Sequence, residues 1–392
     1  MPVMANRKRL WHKHNSLKGE RPLLLAFPEG AWPELLPESV CVCEDELLRS
    51  WEYALRQRIY SHEVINDDNV VEPFLDIEFE VYRGDLGFPV TQTHGDGRGS
   101  FAWEPPIKDF GRDIPRLVPC DFSFDKVAWR RKFEIAHELV GDIIPPRPWA
   151  KFMLFTAAPA RAVNLLGFEY YSLAMYDAPA ELHELMRFLA DEDKRYLDFL
   201  VRENLLWLNN GNDYVGSGGV AYTDELPQKD YCPGMPVRLC DVWGSAQAQD
   251  TLGISPEMFA EFILPYQQAA MERFGLSTYG CCEPLDKRLD ALFAVGNLRR
   301  IAVSPWADQE VCAEKMGGRY VFSRKPNPTM VCVQFNEEDI RKDLRKTLTI
   351  AGKLNLEIIL KDTHTVQNEA WRISRWVAIA REEIENFDAQ KH

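Results

Sequence analysis

An alternation in the second half of the chain constrains its fold more than any other feature. Short β-branched, aliphatic or aromatic runs take turns with amphipathic stretches of helical length. Strands are expected over residues 235–242, 276–280, 300–303, 319–322 and 356–360. Ser255-Pro256-Glu257 opens a helix, with Ser as cap, Pro in the first turn and an acid near the positive end of the dipole. Phe259, Phe262, Ile263 and Tyr266 follow on one face. Further helices are expected over 285–293, 309–316 and 338–351, and a last one with Ile373, Trp376, Val377, Ala380 and Ile384 on its apolar face.

The first half fits the same alternation with longer excursions. Strands are expected within 70–81, over 152–155 and over 168–175, then a helix with Leu182, Leu185, Met186 and Leu189 on one face. Eight strands alternating with helices in 392 residues imply a parallel sheet closed as a (β/α)8 TIM barrel, an α/β fold. No GxGxxG follows a strand; Gly95-Asp96-Gly97-Arg98-Gly99 has other spacing and reads as a flexible polar insert. Residues 1–68 are expected as an N-terminal helical extension capping the barrel, and 69–392 as the barrel itself. Residues 100–123, with Pro105, Pro106, Pro115 and Pro119, read as a long binding loop.

Composition excludes several classes. Disorder does not suit a chain with 11 Trp, 21 Phe and 13 Tyr to bury. A net charge of -14 argues against a nucleic-acid partner, which needs clustered Lys and Arg. No apolar run reaches the roughly 18 to 20 residues of a membrane helix, and residues 1–18 lack the apolar core of a secretory signal. Nine scattered cysteines suggest reduced thiols in a cytoplasm rather than a disulfide scaffold. The sequence leaves a homodimer open.

Reactive groups in such a barrel gather at the C-terminal strand ends. There the sequence offers Asp177; Asp241, Trp243 and Gln247; Cys281, Cys282 and Glu283; Trp306; Lys325; and Lys361, Asp362 and His364. Thiolate, carboxylate and imidazole make a zinc set, so Cys281, Cys282, Glu283 and His364 are the candidate metal ligands; the plain alternative is a buried thiol pair. Asp177 and Asp241 are candidate acids or bases, against a helix-capping role. Trp243 and Trp306 could wall a substrate, with Gln247 and Lys325 as polar contacts, against packing and ion pairing. Gly216 to Gly219 reads as a mobile loop, His137 and His183 as structural, and His12 and His14 as solvent-facing.

The runs Asp241-Val-Trp-Gly-Ser, Gly253-Ile-Ser-Pro-Glu-Met-Phe, Gly275-Leu-Ser-Thr-Tyr-Gly-Cys-Cys-Glu-Pro and Val303-Ser-Pro-Trp-Ala-Asp resemble the uroporphyrinogen decarboxylase-like superfamily, over about residues 150 to 390. The resemblance implies a (β/α)8 barrel with one of two chemistries. One is metal-free decarboxylation, in which Arg83, Arg98 and Arg112 could hold carboxylates; the early Arg-Gln-Ala-Gly-Arg-type stretch of that branch is absent. The other is methyl transfer between a small O- or N-methylated compound and a corrinoid, assisted by zinc. The chain has no Asp-x-His-x-x-Gly stretch, so cobalamin would ride on a separate corrinoid protein. Methyl transfer is the expected function, ahead of decarboxylation and of a non-catalytic binding barrel.

Overall fold

The computed structural model describes residues 2–94, 101–150 and 155–389. Its one large sheet has seven parallel strands: β1 (Leu23–Ala26), β2 (Phe155–Thr156), β3 (Trp243–Ala246), β4 (Leu276–Tyr279), β5 (Leu298–Val303), β6 (Val321–Arg324) and β7 (Asn355–Leu360). The order β1-β7-β6-β5-β4-β3-β2 is that of a ring opened between β1 and β2. No pair spans that junction among the described residues, so the expected closed barrel is here a parallel α/β sheet with two edges. Residues of β1, β3, β4 and β7 are buried throughout, because helices cover one face and interior side chains the other. No helix among the described residues is long and apolar enough to cross a membrane.

Several expected elements moved. Residues 168–175 form not a strand but the helix Phe168–Asp177. Its aromatic content suggested β structure, yet its buried Tyr171, Ala174 and Met175 have helical spacing. The 70–81 region stays outside the large sheet. Among the described residues, Leu75–Glu78 pairs only with Pro146–Trp149, and Val81–Arg83 with Phe122–Phe124. Residues 100–123, expected as a loop, contain the strand Phe101–Trp103 and the helical turn Phe110–Asp113. The glycine insert at 95–99 and most of the strand expected over 152–155 lie outside the described residues.

The segment expected to precede the barrel supplies one of its strands. Leu23-Leu-Leu-Ala pairs with residues 357–360 of β7, so the division at residue 68 does not mark where the sheet begins. Helix α1 (Pro2–Asn15) packs against the sheet interior. His14, expected in solvent, is fully buried with Nε2 3.3 Å from Glu357 Oε2, and Arg300 Nη2 donates to Asn15 Oδ1 at 2.6 Å.

The run Gly216-Ser-Gly-Gly, expected as a mobile loop, is buried and threads the inner face of the sheet. A Cβ at Gly218 would stand 2.2 Å from Arg300 Cδ, and one at Gly219 2.6 Å from Glu357 Oε2. Glycine is there for close approach.

A similar constraint governs Gly275, before β4, where a Cβ would lie 2.3 Å from the Cys240 carbonyl oxygen. Backbone cannot swing aside as a side chain can. Gly275→Ala should therefore cost about 1–3 kcal/mol, read as a lower denaturant midpoint at unchanged slope. An unchanged midpoint would contradict this packing.

Candidate active site

Two loops on the C-terminal side of the sheet, after β4 and after β7 with β5 and β6 between them, bring the reactive groups together. After β4, Gly280 (φ 97) turns the chain and Cys281, Cys282 and Glu283 follow. After β7 come Lys361, Asp362 and His364. Cys282 Sγ lies 3.5 Å from Asp362 Oδ2 and 3.5 Å from Cys281 Sγ. Cys281 Sγ faces Lys361 Nζ at 3.8 Å and Ser217 Oγ at 3.4 Å. The thiol hydrogen bond from Cys282, helped by Lys361 and Ser217, pulls the Cys281 thiol down. The same bond pushes Cys282 up, so Cys281 is the more acidic of the two.

Glu29, in the loop after β1, completes the cluster. Its Oε2 accepts from the Asp362 N–H at 2.9 Å. Ligand atoms of Glu29, Asp362 and His364 all lie within 4.8 Å of one another. Both Glu29 (φ 46) and Asp362 (φ 57) hold left-handed backbone without being glycine. Such conformations cost energy and persist where surrounding structure fixes them, often at functional sites. Burial raises the Glu29 carboxyl above its ordinary range.

The donor set suits zinc. Tetrahedral bonds of about 2.3 Å to sulfur and 2.0 Å to oxygen place the two ligand atoms about 3.5 Å apart. Cys282 and Asp362 have that separation, and an imidazole stands next to Asp362. Glu283 is differently employed. It is fully buried, and its two oxygens accept from the backbone N–H groups of Ala248 and Cys281, each at 2.8 Å. It braces the cysteine turn.

The other candidates are more scattered. Strand β3 begins at Trp243 instead of ending near it, which puts Asp241 and Trp243 at the opposite end of the sheet from the cysteines. Asp241 is fully buried and bonded to Arg238, with Oδ2 2.8 Å from Nε. Trp243 packs against Val215, Ala221 and Leu276. Asp177 is exposed on the last turn of a helix, not at a strand end. Gln247 directly follows β3, and its carbonyl accepts from Gln267 Nε2. Trp306, 68% exposed, flanks a cleft of about 360 Å³ with Ser255 and Arg288. Of the arginines, Arg112 is tied to Asp113, Arg83 approaches Asp193, and Arg98 lies outside the described residues. His183 stacks on Phe262 and shares a 2.7 Å hydrogen bond with Tyr266.

Lys325 follows β6 and is buried, with Nζ donating to Ser323 Oγ at 2.5 Å. Burial pushes it down to about 7, despite the opposing pull of Glu357. The folded protein thus loses this proton before the unfolded chain does. Between pH about 7 and the ordinary lysine value of 10.5 the unfolded state binds more protons, so stability rises with pH there. Lys325→Met should flatten that rise, measured as unfolding free energy at pH 7 and 10 in both proteins. An equal rise in both would contradict the buried amine.

Sequence reading missed Glu29. Its signal was Leu23-Leu-Leu-Ala-Phe-Pro-Glu-Gly, a short apolar run closed by turn residues.

No protein-family model matches this chain, and no curated protein matches it. Among solved structures it is similar to a methyltransferase from Methanosarcina mazei, with a TM-score of 0.53 over 96% of this chain and 98% of that one, at 11% identity. At that identity the likeness shows a shared fold.

Proposed function

We propose that this chain is a methyltransferase that moves a methyl group between a small O- or N-methylated compound and a corrinoid carried by a separate protein. The observation that carries the reading is the group of Glu29, Asp362 and His364, whose ligand atoms lie within 4.8 Å of one another, with Cys282 reaching it through Asp362 at 3.5 Å. The sequence resemblance and the methyltransferase fold neighbour support the same reading.

Cys282, Asp362 and His364 would hold zinc, with a position left open. When bound, zinc supplies a Lewis acid for the oxygen or nitrogen that parts from the methyl group. The remaining steps belong to side chains of this chain. Glu29, its carboxyl raised by burial, can hold the proton that the departing atom needs. Lys361 keeps positive charge beside Cys281 and Asp362, 3.4 Å from the latter, and so steadies the anionic donors. Glu283 fixes the cysteine turn through its two backbone hydrogen bonds. Asp177 and Asp241, proposed from sequence as acids, lie away from the C-terminal strand ends, which favours Glu29 for that role.

The test is methyl transfer from a panel of methoxy and methylamine compounds to reduced cobalamin, followed by its absorbance. Methylation of the corrinoid by the zinc-loaded chain is expected. Release of carbon dioxide from carboxylated aromatics, with no corrinoid methylation, would instead favour decarboxylation.

A further inference from the structure

A second cavity, of about 350 Å³, opens between the Val81–Arg83 ribbon and the helix Ala158–Leu166. Its size falls in the range of small-molecule sites. Two guanidinium groups line it, those of Arg83 and Arg161. Arg161 Nη2 donates to the Leu189 carbonyl and to Asp193, but its Nε and Nη1 are shut off from solvent with no acceptor. Unmet donors of a buried cation are costly, and a small shift of the Arg161 side chain would bring them to a ligand's acceptor atoms in the cavity.

Asp193, beside both guanidinium groups, is already shared. Asp193 Oδ2 accepts from the N–H groups of Ala157 and Ala158 at 2.9 and 3.1 Å. Its Oδ1 faces both guanidinium groups, and Arg83 reaches it only at 3.4 Å. Arg83 is held in place by the ring of Tyr196, 4.9 Å away. Glu192 does not compensate either, since it binds Arg195 and the Cys120 N–H. Asp85 on the rim is exposed, with Oδ1 taken by the Gly87 N–H. The rest of the lining includes the apolar side chains of Leu86, Phe88, Val90 and Leu165.

We propose that this cavity binds a small organic acid, its carboxylate on Arg161 and Arg83 and its apolar body against Leu86, Phe88, Val90 and Leu165. A planar carboxylate matches the guanidinium fork, and the apolar lining selects for a ring or short chain attached to it. The inference stands apart from the methyl-transfer reading and shares no residue with the cysteine cluster.

Calorimetric titration of the full chain with benzoate, benzyl alcohol and inorganic phosphate tests it. Benzoate should bind at least about tenfold more tightly than either of the others, because only it satisfies both the guanidinium groups and the apolar lining. Arg161→Gln should weaken benzoate binding by about tenfold or more. Val90→Trp fills the cavity without touching Asp193 and should abolish binding, which keeps the test open if Arg161→Gln fails to fold. Benzoate affinity unchanged in Val90→Trp would overturn the proposal. So would phosphate binding as tightly as benzoate, or no benzoate binding at millimolar concentration.

Discussion

Cys282→Ala and His364→Ala should each remove zinc and lower methyl transfer on the order of 10³-fold, while the protein stays folded. The size follows from the several kcal/mol a Lewis acid contributes to a developing anion, with each 1.36 kcal/mol worth tenfold in rate. The fold survives because both residues lie in loops beyond β4 and β7, and neither belongs to the apolar core. Asp362→Asn sharpens the test. Asn tolerates the left-handed backbone that Asp362 adopts, so it keeps the turn and removes only the anionic donor. Metal affinity and rate should fall together in Asp362→Asn, with an unchanged thermal midpoint. Glu283→Gln should act otherwise: it loosens the turn after β4 and lowers stability along with rate. A Cys282→Ala protein that keeps stoichiometric zinc would place the metal elsewhere.

Glu357→Ala should destabilise the whole protein by about 3–5 kcal/mol, since it leaves Arg300 charged and buried without its partner. Glu357 is fully buried on β7, with Oε1 3.1 Å from Arg300 Nε and 2.9 Å from the Gly219 N–H it accepts. Burial alone would raise this carboxyl, but Arg300, with His14 and Lys325, holds it at about 2. The sign of the pH effect follows. A depressed folded value contributes stability that is complete above the ordinary glutamate value of 4.5 and is lost as pH falls toward 2. Glu357→Gln should therefore show a flatter acid-unfolding curve across that window than the parent. Parallel curves would mean that the charge does not stabilise the interior.

The second half of the fold was legible because its signals were local. Ser255 caps its helix by accepting from the Met258 N–H, and Asp308 does the same for Gln309–Met316. Strands β4 to β7 are short apolar runs bounded by turns, and all four lie near the expected positions. Legibility failed where tertiary context chose the state. The aromatic run 168–177 became a helix because Tyr171, Ala174 and Met175 bury together on one face. The strand expected over 235–242 starts instead at Trp243, since Asp241 ties residues 238–241 into a turn through Arg238. That shift of a few residues carried Asp241 from one end of the sheet to the other. For the site, strand ends pointed to Cys281, Cys282 and His364. They could not show that Glu283 turns to the backbone or that Glu29, over 330 positions from Asp362, joins the cluster.

The most direct measurement is elemental analysis of the purified full chain coupled to the corrinoid methylation rate, before and after chelation. The account predicts about one zinc per chain, a rate lost on chelation and a rate restored by zinc. A chain that methylates the corrinoid at full rate without metal would contradict it.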